Sequence, residues 1–382
     1  MRKLASIQTI ADIQPIPKYD RVELATILGW ECIVKKGDFK IGDKCVYFEP
    51  DSQLYPHSIW NSFLESRKFK IKTIKMCGVY SQGLVLPVSV INELNPTLKW
   101  SDEDGFDLTD GLNVTHFQKG KLSDENQNQT KSSKHPVIKF MMKFKWFRKL
   151  YNFWFGKNRG DFPTYLISKS DESNIQSKPT VLDNNRGERF YVTEKLEGQS
   201  GTFLIKPLDG VFNKLSDKHE FVVCSRTMRK NRADSSSWWT IAKKYNIRSI
   251  IEKYYKKHGI RIAIQGEVIG TAIQGNIYKL NEYDFYIFNI KDIDNNRYFN
   301  ITEKLAFCED TGLKHVPVLD LNFIITDDVC PKGLLKMSNG TSVLYNTPRE
   351  GIVFRKFDDD RISFKARSPE YTSNENAVVE DE

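Results

Sequence analysis

A lysine that leaves a β-like run and meets an acid and a glycine within three residues is a candidate nucleophile. The stretch Tyr191-Val192-Thr193-Glu194-Lys195-Leu196-Glu197-Gly198-Gln199-Ser200-Gly201 holds such a lysine. To attack, Lys195 must lose its proton, which calls for desolvation or for nearby positive charge from a metal or a second lysine. Glu197 lies two positions on, so an extended strand places it on the same face as Lys195. Gly198 permits a tight turn that brings backbone close to a phosphate. Standing alone, this short pattern arises by chance and reads equally well as a surface ion pair.

It is followed in order by Ser225-Arg226, Gln265-Gly266-Glu267, Phe285-Tyr286-Ile287-Phe288, Arg349-Glu350-Gly351-Ile352-Val353 and Ser363-Phe364-Lys365-Ala366-Arg367. Order, residue types and spacing resemble motifs I, Ia, III, IIIa, IV and V of the covalent nucleotidyltransferase superfamily of ligases and RNA capping enzymes. Within it the chain is most similar to ATP-dependent RNA ligases that carry an N-terminal OB domain, the Naegleria-type nick-sealing branch. The N-terminal pieces Ile10–Ile13, Gly29-Trp30, Val34–Lys40, Val46–Ser52 and Tyr80–Leu84 resemble that OB domain.

The resemblance implies a role for each matching residue. Lys195 takes AMP from ATP as a lysyl–AMP phosphoramidate, AMP passes to an RNA 5′-phosphate, and a 3′-hydroxyl displaces it. Arg226 is expected to bind phosphate or an RNA end, where its planar fork suits oxyanions. Phe288 is expected to stack on adenine, although core packing would be the reading of the residue alone. Glu194 is expected near adenine. Lys365 and Arg367 are expected on the nucleotide phosphate, with the Lys365 charge also favouring loss of the Lys195 proton. Glu267 and Glu350 are expected to act in catalysis. With Glu197 they would hold Mg²⁺ or Mn²⁺ through water, since Mg²⁺ commonly keeps several waters.

Three positions depart from the family pattern. Glu197 stands where Asp is common, and its extra methylene displaces the carboxylate. Arg367 replaces a lysine, keeping charge but changing geometry. Lys169–Gln176 resembles a family segment whose arginine is missing at Asn174, which implies a less efficient first step.

These groups need elements to position them. Residues 1–115 read as short strands broken by Gly, Pro and Asp, such as Val22–Leu28, Glu31–Lys35 and Lys44–Glu49, and imply an all-β OB-type barrel. Lys68–Thr73 alternates strictly, so a strand would turn Phe69, Ile71 and Thr73 inward and three lysines outward. Those lysines read as a solvated face or as a track for a phosphate backbone. Residues 116–160 are expected to be a linker and a basic aromatic segment. From 119 to 160 there are eleven Lys and Arg against two acids. Its scattered aromatics favour partial burial over a membrane-facing stripe. Residues 161–382 read as an α+β nucleotidyltransferase domain with antiparallel sheets, including strands at Gln265–Gly270 and Asp284–Ile290. One helix is expected over Trp238–His258, closed by Gly259.

The formal net charge of +8, from 57 basic and 49 acidic residues, is compatible with RNA but common in proteins that touch none. The six cysteines form no CxxC pair, so structural zinc is not expected and free thiols are. An apolar leader and a membrane-length apolar run are both missing, so an intracellular protein, cytoplasmic or nuclear, with no membrane partner is expected. A monomer is expected. The alternatives are a capping guanylyltransferase or DNA ligase, and a nucleic-acid-binding protein that has lost activity. Those enzymes place an OB domain after motif V, whereas only 15 residues follow Arg367 here. Intact Lys195, Glu267, Glu350 and Lys365 argue against lost activity.

Overall fold

The structure, a computed structural model, describes residues 3–117, 161–207, 219–230 and 236–378. The basic aromatic segment expected between 116 and 160 lies almost wholly outside the described residues.

The N-terminal half is built from β1 (Ala5–Ile16), β2 (Tyr19–Ile27), β3 (Trp30–Lys35), β4 (Lys44–Phe48), β5 (Ser52–Gln53), β6 (Thr73–Met76), β7 (Val79–Gln82), β8 (Leu84–Pro87) and β9 (Thr115–His116). Five of them form an antiparallel sheet in the order β3-β2-β1-β4-β8. A bulge in β1 between Ile10 and Asp12 bends it, so its two halves pair with different neighbours. The sheet therefore curls, and β3 comes back towards β7, where Ile33 N donates to Ser81 Oγ at 3.0 Å. Ile10, Ala25, Ile27, Trp30, Cys32 and Tyr47 fill the inside of this partly open barrel. This is the OB-type architecture expected from the sequence.

Lys68–Thr73 departs from a regular strand. Lys68 and Phe69 both adopt positive φ, 51° and 58°, after a short 3₁₀ turn at Glu65–Arg67. Ile71 and Thr73 still turn inward, because burying the apolar residues decides the side even where the backbone is irregular. Lys70 lies over the Phe117 ring at 3.8 Å.

The C-terminal half contains β10 (Ser173–Asn174), β11 (Arg189–Lys195), β12 (Gln199–Pro207), β13 (His219–Ser225), β14 (Ile262–Ile269), β15 (Asp284–Asp292), β16 (Arg297–Tyr298), β17 (Lys314–His315), β18 (Val318–Ile324), β19 (Gly351–Lys356) and β20 (Ser363–Arg367). One sheet runs β10-β20-β19-β11-β18 and a second runs β13-β12-β14-β15-β16, with β17 beside β15. Pairing is antiparallel except for two short parallel contacts, β10 with β20 and β17 with β15. The first sheet packs Phe190, Phe354 and Phe364 together, the last two rings stacked at 4.8 Å. The second buries Phe203 edge-on against Phe285 beneath two helices.

Those helices, Ser237–Lys244 and Ile247–His258, replace the single helix expected. Asn246 breaks it with φ 49°, a left-handed conformation that asparagine tolerates better than most residues. Gly259 closes the second helix as anticipated, with φ 70° and its N–H donating to Tyr255 O. Among the described residues no helix is long and apolar enough to cross a membrane. All six cysteines are free thiols.

One irregularity aims the site. The β14–β15 register passes from Gln265 opposite Asn289 to Gly266 opposite Ile287, which leaves Phe288 as the extra residue of a bulge. A Cβ at Gly266 would lie 2.5 Å from both the Phe285 ring and Tyr286 O. Gly266→Ala is therefore expected to lower stability by about 1–3 kcal/mol, as overpacking does. Urea unfolding checks this; an unchanged midpoint would show that the bulge can relax around a methyl group.

Candidate active site

The ends of three paired strands bring the candidate residues of the first sheet together. Lys195 closes β11 and lies opposite Gly351 at the start of β19. On the other side of β19, Gly351 lies opposite Arg367 and Val353 opposite Lys365. The approach is close: a Cβ at Gly351 would clash with Ala366 O and lie 2.9 Å from the Arg367 Cα. Lys195 Nζ donates to Glu350 Oε2 at 2.5 Å. The other oxygen of Glu350 stands 3.4 Å from Arg367 Nε. One carboxylate therefore serves two cations. Lys365 Nζ lies 3.6 Å from Asp171 Oδ1, and Arg226 donates to Asp171 Oδ2 at 2.6 Å.

Glu267 arrives from the second sheet, on β14 between Ser200 of β12 and Tyr286 of β15. A Cβ at Gly198 would lie 2.8 Å from Glu267 Cγ, so glycine lets the turn after Lys195 pass beneath it. Burial pushes the Glu267 carboxyl up to about 8; Glu350 and Glu172 reinforce the rise, and Lys195 opposes it. Glu350 is buried too, yet the Lys195 and Arg367 charges hold it below the ordinary carboxylate value. Lys365 is lowered by burial and by the Lys195 charge. The two acids thus shift in opposite directions: the Lys195 charge lowers both, but only Glu350 also has the Lys195 hydrogen bond and the Arg367 charge.

An apolar wall lies beside this charged end. Leu196, Ile269, Tyr278, Tyr286 and Val316 form it, with half-buried Phe288 at its edge. Glu194 is buried in the same region; its Oε2 accepts from Val343 N at 2.8 Å, while Oε1 has no hydrogen-bond partner among the described residues. Glu197 is buried and turned towards the loop after β14, where Ile277 N donates to its Oε2 at 3.4 Å. Among the expected metal-side acids, Glu267 and Glu350 converge on Lys195 and Glu197 faces that loop.

Sequence reasoning missed a buried network behind Phe288. Arg355 donates to Glu172 at 2.6 Å and sits 5.9 Å from the Phe288 ring centre. Lys304, fully buried, pairs with Asp360, donates to Tyr191 Oη at 2.5 Å and reaches Phe288 O at 3.4 Å. The available signal was Arg355 itself, a charge directly after the apolar run Ile352-Val353-Phe354. Such a charge must find a buried partner, and the partners lie far away in sequence.

Asn174, where the family arginine is missing, lies directly opposite Lys365 in the β10–β20 pair. Its Oδ1 is buried without a hydrogen-bond partner among the described residues. The departure read in the sequence therefore falls next to Lys365.

No three His, Cys, Asp or Glu side chains among the described residues stand close enough to ligate a metal ion directly. The donor set still suits a hydrated divalent cation. Glu267 and Glu350 offer hard carboxylate oxygens, and a bound cation would oppose the burial that raises Glu267.

Comparison with known proteins agrees with this geometry. The RNA ligase family profile matches residues 188–367, and an OB-fold domain profile matches residues 4–88. No curated protein matches the chain in sequence. Solved structures of Naegleria gruberi RNA ligase are similar over nearly the whole chain. An arginine-to-alanine mutant of it with ATP and Mn is 30% identical, covers 98% of this chain and 99% of its own, and superposes with a TM-score of 0.75. A glutamate-to-alanine mutant with AMP and Mn is 29% identical with the same coverage and a TM-score of 0.76. The same enzyme with PPi is 29% identical, covers 98% and 99%, and gives a TM-score of 0.75.

The raised Glu267 carboxyl sets a pH dependence. Its value goes from an ordinary 4.5 to about 8 on folding, so the folded chain binds the extra proton between those limits. Stability contributed by that proton is complete below the lower limit and is lost as pH rises towards the upper one. Glu267→Gln cannot ionise. Its melting temperature, measured with chelator and without nucleotide, is expected to gain on wild type steadily from acid to pH 8. A gap that stays constant across that range would mean that Glu267 is already ionised in the folded chain.

Proposed function

The chain belongs to the RNA ligase family, and from that premise we propose how its own residues join RNA ends. It is an ATP-dependent RNA ligase working through lysyl–AMP and RNA-adenylate. The observation that carries the assignment of residues is the meeting of Lys195, Glu350, Arg367 and Lys365 at three strand ends, with Glu267 across the cleft.

Lys195 Nζ forms a bond to the α-phosphorus of ATP as the bond from that phosphorus to the bridging oxygen breaks, and pyrophosphate leaves. The Nζ proton must go before or during attack, and Glu350, in contact at 2.5 Å, stands where it can accept it. Lys365 and Arg367 then face the phosphate charge, and Arg226 at the exposed mouth meets pyrophosphate or the RNA 5′-phosphate. In the second step a 5′-phosphate oxygen displaces Lys195 from AMP. In the third, the 3′-hydroxyl attacks the activated 5′-phosphorus and AMP departs. Glu267, Glu350 and, from the neighbouring loop, Glu197 would hold hydrated Mg²⁺ or Mn²⁺, which when bound offsets phosphate charge.

The apolar wall with Phe288 at its edge accommodates a purine. Glu194 Oε1, buried and unpaired among the described residues, stands ready to accept from a purine amine. The 6-amino group of adenine is such a donor.

RNA is the polynucleotide. A nicked duplex is the form we favour, with the chain acting as a monomer. Residues 1–115 would grip the RNA as an OB domain, residues 116–160 would link, and residues 161–382 would carry adenylylation.

Incubation with α-labelled ATP and Mg²⁺ or Mn²⁺, followed by a denaturing gel, tests the assignment. Wild type is expected to take label from ATP and not GTP, and Lys195→Ala to take none. Label on the alanine variant would move the nucleophile elsewhere. The separate fragment 161–382 is expected to retain part of the self-adenylylation yet seal nicked RNA at least tenfold less well, given the ~1–3 kcal/mol that individual base-stacking contacts contribute to RNA binding. Sealing at the full-length rate would remove the N-terminal half from the reaction.

A further inference from the structure

The two halves of the chain meet along the edge of the active site. At the β2–β3 turn, Gly29 N donates to Gln176 O at 3.0 Å. The approach is tight, since a Cβ on Gly29 would lie 2.8 Å from Gln176 Cα and 3.0 Å from Pro331 Cβ. Ser177 Oγ donates to Glu49 Oε1 at 3.1 Å, and Lys332 pairs with Glu31 at 2.7 Å. The helix Pro369–Val378, just after Arg367, packs against β6. Of these contacts, only the Ser177 bond to Glu49 reaches the loop Glu49-Pro50-Asp51 beside the end of β20, while the Lys332–Glu31 pair joins β3 to another helix.

Asp51 is held by its own backbone. It has φ 71°, its N–H donates to Ile71 O at 2.9 Å, and its carbonyl accepts from Phe117 N at 2.7 Å. Its Oδ2 lies 4.0 Å from Arg367 Nη1, with side chains 39% and 27% exposed. The opposite edge of the same guanidinium, Nε, stands 3.4 Å from Glu350 Oε1, and Glu350 in turn holds Lys195. Negative and positive groups alternate from the N-terminal half to the nucleophile.

We propose that Asp51 is a positioning residue of the active site: from the OB side it fixes the Arg367 guanidinium, and through Arg367 the Glu350 carboxylate that holds Lys195. This gives a physical reason for an arginine, and not a lysine, at 367. A planar fork can address two carboxylates from two edges with defined orientation, whereas an ammonium is a point charge with none. Docking of the N-terminal half is thereby coupled to lysyl–AMP formation as well as to RNA contact. The inference rests on the ligase assignment given above.

The test compares initial rates of lysyl–AMP formation at saturating ATP in the full chain. Asp51→Asn suits it because asparagine tolerates positive φ while removing the charge. Asp51→Asn is expected to slow labelling roughly fivefold, the rate equivalent of the ~1 kcal/mol contributed by a partly exposed ion pair. Asp51→Glu, which keeps the charge, recovers most of that loss. Asp51→Asn combined with Arg367→Lys is no slower than Arg367→Lys alone, because the aspartate acts only through the guanidinium. Glu31→Gln, which breaks an ion pair on the same interface away from the site, leaves the rate unchanged. Wild-type labelling with an unaffected Asp51→Asn overturns the positioning role alone, as do fully additive effects in the double variant. Equal slowing by Glu31→Gln also overturns it, in favour of a general docking effect. A wild-type chain that takes no label from ATP overturns the ligase assignment and this inference with it.

Discussion

A site that binds phosphate must keep cations close together before any phosphate arrives, and here Glu350 makes that possible. Two like charges about 4 Å apart repel by roughly 4 kcal/mol at an effective dielectric constant near 20. Lys195, Lys365 and Arg367 share a small volume at the ends of β11 and β20. Glu350 answers two of them, Lys195 at 2.5 Å and Arg367 at 3.4 Å. Asp171 answers Lys365 and Arg226 in the same way. Two carboxylates thus hold four cations together, and in the proposed reaction phosphate would replace the carboxylates as the partner of the cations.

Much of the surrounding fold serves this arrangement. β19 must lie between two strands at close range, so Gly351 follows Glu350 and excludes a side chain that would push β20 away. Gly198 and Gly266 act likewise around Glu267. The bulge at Phe288 turns an aromatic ring from the ordinary alternation of β15 towards the cleft edge, and the Arg355–Glu172 and Lys304–Asp360 pairs lie behind it. Buried ion pairs add little net stability compared with apolar packing, but removing one partner leaves an uncompensated charge. They accordingly resist rearrangement of the strands they join.

The N-terminal barrel is docked at the edge of this lattice. The turn Ile175–Ser177 touches Gly29, Gln82 and Glu49 on one side, while Asn174 beside it pairs with Lys365. A shift of the barrel would therefore be felt at the phosphate side. Asn174 and Arg367, two of the positions read in the sequence as departures from the family pattern, lie beside Lys365 and Glu350 respectively.

The amino-acid sequence by itself determined the identities and order of the chemical groups, because motif residues such as Lys195, Glu267, Glu350 and Lys365 sit in short local patterns that survive without knowledge of the fold. It also determined the strands at Gln265–Gly270 and Asp284–Ile290, the stop at Gly259 and the short-strand character of the N-terminal half, since these depend on local residue preference and backbone freedom. Partnerships were beyond its reach. Lys304 with Asp360, Arg355 with Glu172 and Asp51 with Arg367 are separated by 56, 183 and 316 positions. Only the tertiary structure decided that Glu197 faces the loop after β14 and that Lys68–Phe69 turns through positive φ. Asn246 likewise divides a helix whose apolar period runs through the break. Glu197 and the Lys68–Phe69 turn follow burial of distant side chains, which is a property of the whole chain, whereas Asn246 takes a left-handed conformation that its own side chain tolerates.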